Sequence, residues 1–261
     1  MGLEEKSKPA PTPSVLTKAA DEEPLAGDQS VMYRALVARA NYLAQDRVDI
    51  AYAVKELCRQ MSLPRVHDWH QLKRLARYLK GSPRLVVKFR YQQCPANLVV
   101  WTDTDHAGCL STRKSTSGGV MMFGTHCLKS WSVNQQHVAL SSGEAEYYGM
   151  VRGTSQALGA KAMLNDFGIE VGIETMVDAS AAVGIACRRG LGKVRHIELD
   201  QLWLQNQVAR GRVRVYKVSG EENMADSLTK HSTLQRIEQT LWCTGACVVP
   251  GRHELMPTVA K

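Results

Sequence analysis

The sequence predicts an α/β protein: a mixed, five-stranded sheet flanked by helices, with a helical segment in front of it. Three observations carry this. The apolar period changes from about 3.6 residues to about 2 near residue 85. The strands expected between 98 and 133 follow one another across short turns, which makes them antiparallel neighbours. The strands expected at 173–177 and 212–218 are each reached through helices, which makes them parallel.

Residues 1–29 hold Pro9, Pro11, Pro13 and Pro24 among Ala, Lys and Glu, a composition that disfavours helix and predicts a disordered linker. Ser30 can cap a helix over 31–44. A second helix is expected over 47–61, with Ile50, Val54, Leu57, Cys58 and Met61 on one face. Pro64 separates it from a third over 66–80, which Gly81-Ser82-Pro83 ends. Trp69, Leu72, Ala76 and Leu79 form the apolar stripe of that third helix. Lys73, Arg74, Arg77 and Lys80 lie off the stripe, as either a solvated face or a face that tracks phosphates.

Strands are expected at 85–89, 98–103, 119–123 and 127–133, with Gly118-Gly119 and Gly124-Thr125-His126 as turn signals. A long helix over 142–167 should bury Tyr147, Val151, Thr154, Leu158 and Ala162. A strand at 173–177 ends at Asp178, and helices over 179–188 and 194–209 lead to the strand at 212–218. Short helices are expected at 223–229 and 234–242, and no pattern is visible from Cys243 onward.

With 261 residues, 44% of them hydrophobic, the chain can build one fair-sized core, or one domain with an appendage. No apolar run approaches the roughly 20 residues of a membrane span. The charged start of the chain has no secretory pattern, and Lys6 stands where a myristoylation signal needs Ser or Thr. The seven cysteines are odd in number and scattered, which predicts a reduced, intracellular protein. Cys243, Cys247 and His253 match no common zinc spacing. Net charge is +8; residues 1–30 carry −3 (three basic, six acidic), so the remaining 231 carry +11. A basic body suits a polyanionic partner such as nucleic acid.

The candidate chemistry lies in carboxylates. Asp103 follows an apolar run, Leu98-Val99-Val100-Trp101, that reads as a buried strand, and a buried carboxylate needs a partner or a metal. Glu144 and Glu146 open the long helix, Asp178 ends the next strand, and Asp226 sits in the short helix after the last one. From Asp103 to Glu146, Asp178 and Asp226 the steps are 43, 32 and 48 residues, so only a fold can gather them. Ser141 and Glu144 have capping-box spacing, which gives Glu144 a structural task and leaves Glu146 free. Gathered carboxylates repel one another, and divalent cations remove the conflict. Two Mg²⁺ ions roughly 3.5–4 Å apart can hold a phosphodiester, activate water and stabilise the leaving oxygen without a nucleophilic Ser or Cys. By spacing alone, four unrelated surface acids at caps and turns are the simpler reading.

The motifs around these acids change that balance. Trp101 to Gly108 (WTDTDHAG), Arg113 to Val120 (RKSTSGGV), Ser130 to Ser132, Val138 to Tyr147 (VALSSGEAEY), Arg195 to Asp200 (RHIELD) and Asn223 to Lys230 (NMADSLTK) together resemble the ribonuclease H domain of copia-type retrotransposon Pol polyproteins. The resemblance covers about residues 98 to 230. Tyr33 to Val37 and Arg77 to Gly81 are similar to the end of the reverse transcriptase that precedes that domain. The chain has no Asp-Asp dipeptide of the polymerase site.

The resemblance implies a ribonuclease H-like sheet and this organisation: a linker at 1–29, a reverse-transcriptase-like helical segment at 30–84, the ribonuclease H-like domain at 85–231 and an extension at 232–261. It implies two-metal cleavage of the RNA strand of RNA–DNA hybrids, with Asp103, Glu146, Asp178 and Asp226 as catalytic metal ligands for two Mg²⁺, or for Mn²⁺ as a substitute. His196 is implied as an accessory residue, against the plainer reading of a surface or core-satisfied histidine. Lys73, Arg74, Arg77, Lys80, Arg113 and Lys114 are the candidate nucleic-acid contacts. The implied partners are the hybrid and the upstream reverse transcriptase, with no membrane. The implied location is inside the cell, in a cytoplasmic virus-like particle or the nucleus. Three departures stand out: His106 where the family usually has Trp, Ala179 where Asn is common, and no His in the Ser219–Glu222 loop. The alternatives are a non-catalytic nucleic-acid-binding module of the same fold and a nuclease of that fold cutting DNA.

Overall fold

The computed structural model describes residues 7–17, 23–109, 111–192, 194–197, 199–251 and 253–255, with the side chains of 199 and 200 left undescribed. The chain divides into two compact units: Met1–Lys88 with His231–Lys261, and Phe89–Lys230.

The first unit begins with helices α1 (Gly27–Leu43), α2 (Ala51–Arg59) and α3 (Val66–Gly81), and a 3-10 turn, Val48–Ile50, leads into α2. Tyr33, Val37, Ile50, Val54, Leu57, Leu72, Leu75 and Tyr78 pack as its core. Helix α1 is capped at Ala26, four residues before the expected Ser30, and the Ala26 side chain caps nothing. Helix α3 opens instead on a capping box, in which Arg65 N–H donates to Asp68 Oδ2 at 2.8 Å.

Two segments of this unit depart from expectation. Residues 7–17, expected as linker, lie along α3: Ala10 is buried, and its N–H donates to Arg77 O at 3.3 Å. Arg77 Nε donates to Lys8 O at 2.7 Å, and Lys80 Nζ to Ser7 O at 3.1 Å. Composition counts the apolar residues the segment lacks; it does not count the backbone carbonyls that a basic helix face can hold. Strand β1 (Arg84–Val87) pairs antiparallel with a strand in the patternless tail, Ala246–Val249, which follows a helix at Leu234–Cys243. Residues 234–249 are therefore part of this unit rather than an extension.

In the second unit, β2 (Asn97–Asp105), β3 (Thr116–Phe123) and β4 (His126–Asn134) form the expected antiparallel run. Helix α4 (Ser142–Asp166) crosses to β5 (Gly172–Val177), and α5 (Ser180–Cys187) and α6 (Trp203–Ala209) lead to β6 (Arg214–Lys217). The tail elements of the first unit then complete the numbering as α7 and β7. The sheet order is β4-β3-β2-β5-β6, with β2, β5 and β6 parallel. This is the mixed, helix-flanked, five-stranded sheet that the sequence predicts. No helix among the described residues is long and apolar enough to cross a membrane.

Helix α4 seats on the sheet through small residues. A Cβ on Gly149 would lie 2.6 Å from Thr104 Oγ1, and one on Gly153 would lie 2.6 Å from Thr102 Cγ2. The deepest face of α4 therefore runs through Glu146, Gly149, Met150, Gly153 and Ala157, while Val151 and Leu158 are half-buried and Ala162 is exposed. Hydropathy favours large side chains and so missed the glycines that set the approach distance. The core beneath contains Val100, Met121, Trp131, Tyr147, Ile173, Val177 and Leu204. Gly153→Val should push helix from sheet and lower the unfolding free energy by about 1–3 kcal/mol, the usual cost of overpacking, read by denaturant titration.

Candidate metal centre

Strands β2 and β5 are parallel neighbours, with Trp101 opposite Met176. Two residues further along each chain come Asp103 and Asp178, so parallel pairing delivers both carboxylates to the same end of the sheet. That edge, at the carboxyl ends of parallel strands, is where open α/β sheets place ligands. Helix α4, one turn in from its N-terminus, adds Glu146. One carboxylate oxygen from each of Asp103, Glu146 and Asp178 lies within 4.8 Å of the others.

Asp103 and Glu146 are 6% and 7% exposed, and Asp178 is half-buried. Thr229 Oγ1 donates to Asp103 Oδ2. Thr104 N–H donates to Glu146 Oε1 at 3.2 Å, whereas Glu146 Oε2 is buried with no hydrogen-bond partner among the described residues. A buried, unpaired carboxylate oxygen is costly unless something else completes it. Three converging carboxylates, one of which carries an orphaned oxygen, fit a hard divalent cation such as Mg²⁺.

Burial pushes Glu146 up to about 9, with the charges of Asp103 and Asp178 adding to the shift. Asp103 is pushed up to about 6, mainly by burial; Thr229 opposes this, and Asp226 and Asp178 add to it. Both groups hold their protons more tightly folded than unfolded, where they take ordinary values of 3.8 for Asp103 and 4.5 for Glu146. Their contribution to stability is thus full below about pH 4 and is lost as pH rises, through 6 for the first and towards 9 for the second. A cation on these oxygens removes that loss. Mg²⁺ is therefore expected to raise the Tm more at pH 8 than at pH 5, as read by thermal denaturation. Equal shifts at both values would contradict binding at these acids.

Asp226, in the 3-10 turn Asp226–Leu228, stands outside the group of three. Its Oδ1 is 2.6 Å from Lys230 Nζ, and its charge still acts on Asp103. Glu144 holds the structural post read from its spacing. Its N–H donates to Ser141 Oγ at 3.2 Å, and its carboxylate accepts from Leu140 N–H at 3.0 Å and Tyr148 OH at 2.8 Å. His196 Nε2 is 2.7 Å from the same carboxylate, so the candidate accessory residue pairs with the capping glutamate. Arg113 is exposed and in a left-handed conformation (φ 56°), on a loop closed by Arg113 N–H to Cys109 O at 2.7 Å. Lys114, half-buried, closes the same loop by accepting Cys109 N–H at its carbonyl.

Lys73, Arg74, Arg77 and Lys80 lie in the first unit. The last two hold the Ser7–Lys8 carbonyls, Arg74 Nη2 donates to Thr12 Oγ1 at 2.8 Å, and Lys73 Nζ stands 5.9 Å from the Trp69 ring centroid. The sequence did not mark Thr229 for the site, and it offered Gly118 only as half of a Gly118-Gly119 turn signal; both glycines lie inside β3 instead, and Thr229 and Gly118 border Asp103. The motif 223–230 contained the first and the motif 113–120 the second, but neither residue type announces a metal site.

Fold and site together define an α/β domain with three acids gathered at the carboxyl edge of two parallel strands. No protein-family model matches the chain. The chain is 32% identical over 201 residues, 76% of its length, to the retrovirus-related Pol polyprotein from transposon RE2 of Arabidopsis thaliana. It is 30% identical over 186 residues, 70% of its length, to the one from transposon TNT 1-94 of Nicotiana tabacum. The chain belongs to this family, the retrovirus-related Pol polyproteins of copia-type transposons, and spans 14% of the length of those two relatives. Among solved structures, LC11-RNase H1, isolated from compost by a metagenomic approach, is 18% identical with a TM-score of 0.38, covering 56% of this chain and 99% of that one.

Proposed function

We propose that the Phe89–Lys230 unit is a metal-dependent endoribonuclease that cleaves the RNA strand of RNA–DNA hybrids, as part of a retrotransposon polyprotein or a gene derived from one. The observation that carries this reading is the convergence of Asp103, Glu146 and Asp178, with Glu146 Oε2 left buried and unpaired. The ordered motifs around those acids, and the family to which the chain belongs, support the choice of reaction.

In this reading Asp103, Glu146 and Asp178 hold divalent metal, with Asp226 as a fourth carboxylate. When bound, two Mg²⁺ ions supply charge neutralisation and an activated water for phosphodiester hydrolysis. The chain's own residues set the arrangement. Asp103 is held in β2 by its pairing with β3, and Asp178 follows directly on the end of β5. Glu146 is fixed by the Thr104 N–H and by the tight seat of α4. Lys230 keeps a positive charge beside the acids and favours the ionised forms of Asp103 and Glu146. The hybrid is the proposed partner, with the upstream reverse transcriptase beside it in the polyprotein.

The test is incubation of the purified chain with a labelled RNA–DNA hybrid and with duplex DNA, in Mg²⁺ and in chelator. RNA-strand cleavage that needs metal is the expected result. Salt-sensitive binding without cleavage, or cutting of duplex DNA, would overturn the reading.

A further inference from the structure

The turn that carries Asp226 also closes over Asp103, and it is docked on three strands. Asn223, fully buried, donates from Nδ2 to Thr102 O on β2 at 2.9 Å. Ser132 on β4 donates from Oγ to Leu228 O at 2.6 Å. On β3, Gly118 stands directly across from Asp103 in the antiparallel register. A Cβ at Gly118 would lie 2.8 Å from both Leu228 Cβ and Thr229 Cγ2. The missing side chain at 118 is thus the space into which the turn settles, and it brings the Thr229 hydroxyl to Asp103 Oδ2.

Thr229 is 1% exposed and has one hydroxyl proton. Two acceptors face it: Asp103 Oδ2 and, at 3.0 Å, the backbone carbonyl of Asp226. A bond to a carboxylate is charge-assisted and about twice as strong as one to a neutral carbonyl, so Asp103 takes the proton. A carboxylate turns freely about its last bond unless an oxygen is held. With Oδ2 held, its plane is set before any cation arrives.

We propose that Thr229 is a positioning residue for the metal centre, fixing the rotation of the Asp103 carboxylate, and that Gly118 is the vacancy that admits it. This rests on the metal-dependent nuclease reading for its consequence in catalysis, but not for its consequence in metal binding.

The full chain is compared as wild type, Thr229→Val, Thr229→Ser and Gly118→Ala. Mn²⁺ binding is measured by titration calorimetry, hybrid cleavage by kcat and KM, and folding by Tm. Valine keeps the shape and the methyl group and removes the proton; serine keeps the proton. Thr229→Val is expected to weaken Mn²⁺ binding ~10-fold or more, as loss of a group orienting a metal ligand does, and to lower kcat while KM for the hybrid holds. Thr229→Ser should restore both. Gly118→Ala should resemble Thr229→Val although its hydroxyl is intact. Wild-type Mn²⁺ affinity in Thr229→Val overturns the proposal, as does a Thr229→Ser variant no better than Thr229→Val. If the wild type binds Mn²⁺ in a Thr229-dependent way yet cleaves no hybrid, the positioning stands and the nuclease reading falls.

Discussion

Asp103→Asn is expected to abolish RNA-strand cleavage while the fold survives. The substitution keeps the side chain's size and an oxygen for the Thr229 hydroxyl, and removes the charge that would hold a cation. Metal-derived stabilisation of a transition state is worth several kcal/mol, and each 1.36 kcal/mol is tenfold in rate, so a loss of ~10³-fold or more is expected. The same change has the opposite sign for stability without metal. Asp103 is a buried acid held against the charges of Asp178 and Asp226, and neutralising it relieves that conflict. At pH 8 in chelator the variant should therefore melt no lower than wild type, and Mg²⁺ should raise its Tm less. Asp226→Asn should cost less activity than Asp103→Asn, because Asp226 is paired with Lys230 outside the group of three. Steady-state cleavage of a labelled hybrid decides both, and an Asp103→Asn variant with wild-type turnover would end the nuclease reading.

The second large effect concerns the first unit. Arg47 and Asp49 form a buried pair at 2.6 Å, with side chains 6% and 0% exposed. Arg47 Nε and Nη2 both donate to the Asp49 carboxylate, Tyr78 OH donates to Asp49 Oδ2 at 2.8 Å, and Arg47 Nη1 donates to Ser82 O at 3.0 Å. The network ties the 3-10 turn to the C-terminal end of α3, through Tyr78 in its last turn and Ser82 just beyond it. Asp49→Ala leaves the guanidinium buried without its partner and strands the Tyr78 hydroxyl. Breaking a buried pair from one side costs about 3–5 kcal/mol, and that loss is expected in denaturant unfolding. Replacing both members by apolar residues, Arg47→Met with Asp49→Leu, should recover most of it, since no uncompensated charge remains. A single and a double variant of equal stability would show that the pair's charge is not what matters.

Much of the candidate site was readable from local chemistry. Asp103 and Asp178 were recognised as acids near strand ends; Asp178 follows β5 directly, whereas β2 runs on past Asp103 to Asp105. Glu144 was separated from Glu146 by capping-box spacing alone, and the Ser141 bond to Glu144 N–H is in place. Helix and strand order from residue 97 to 217 followed the change of apolar period, although the helix expected over 194–209 is a 3-10 turn, Leu199–Leu202, followed by α6. Short-range signals carried these readings because caps, turns and periodicity depend on residues within a few positions of one another.

Other features have no local signature. Strand β7 was invisible because a four-residue strand, Ala246–Val249, declares itself only by pairing with β1, some 160 residues earlier. Gly149 and Gly153 carry no hydropathy, yet their missing side chains set how near α4, and with it Glu146, comes to β2. Residue order determined which acids were available and what local post each could hold. Which of them meet was decided by tertiary structure: β2 and β5 pair in parallel, so residues 75 positions apart arrive at one edge, while Asp226 comes close and is held by Lys230. The physical reason is that backbone hydrogen bonds between strands are blind to side chains. The pairing is chosen by the whole buried face, and the carboxylates are carried along with it.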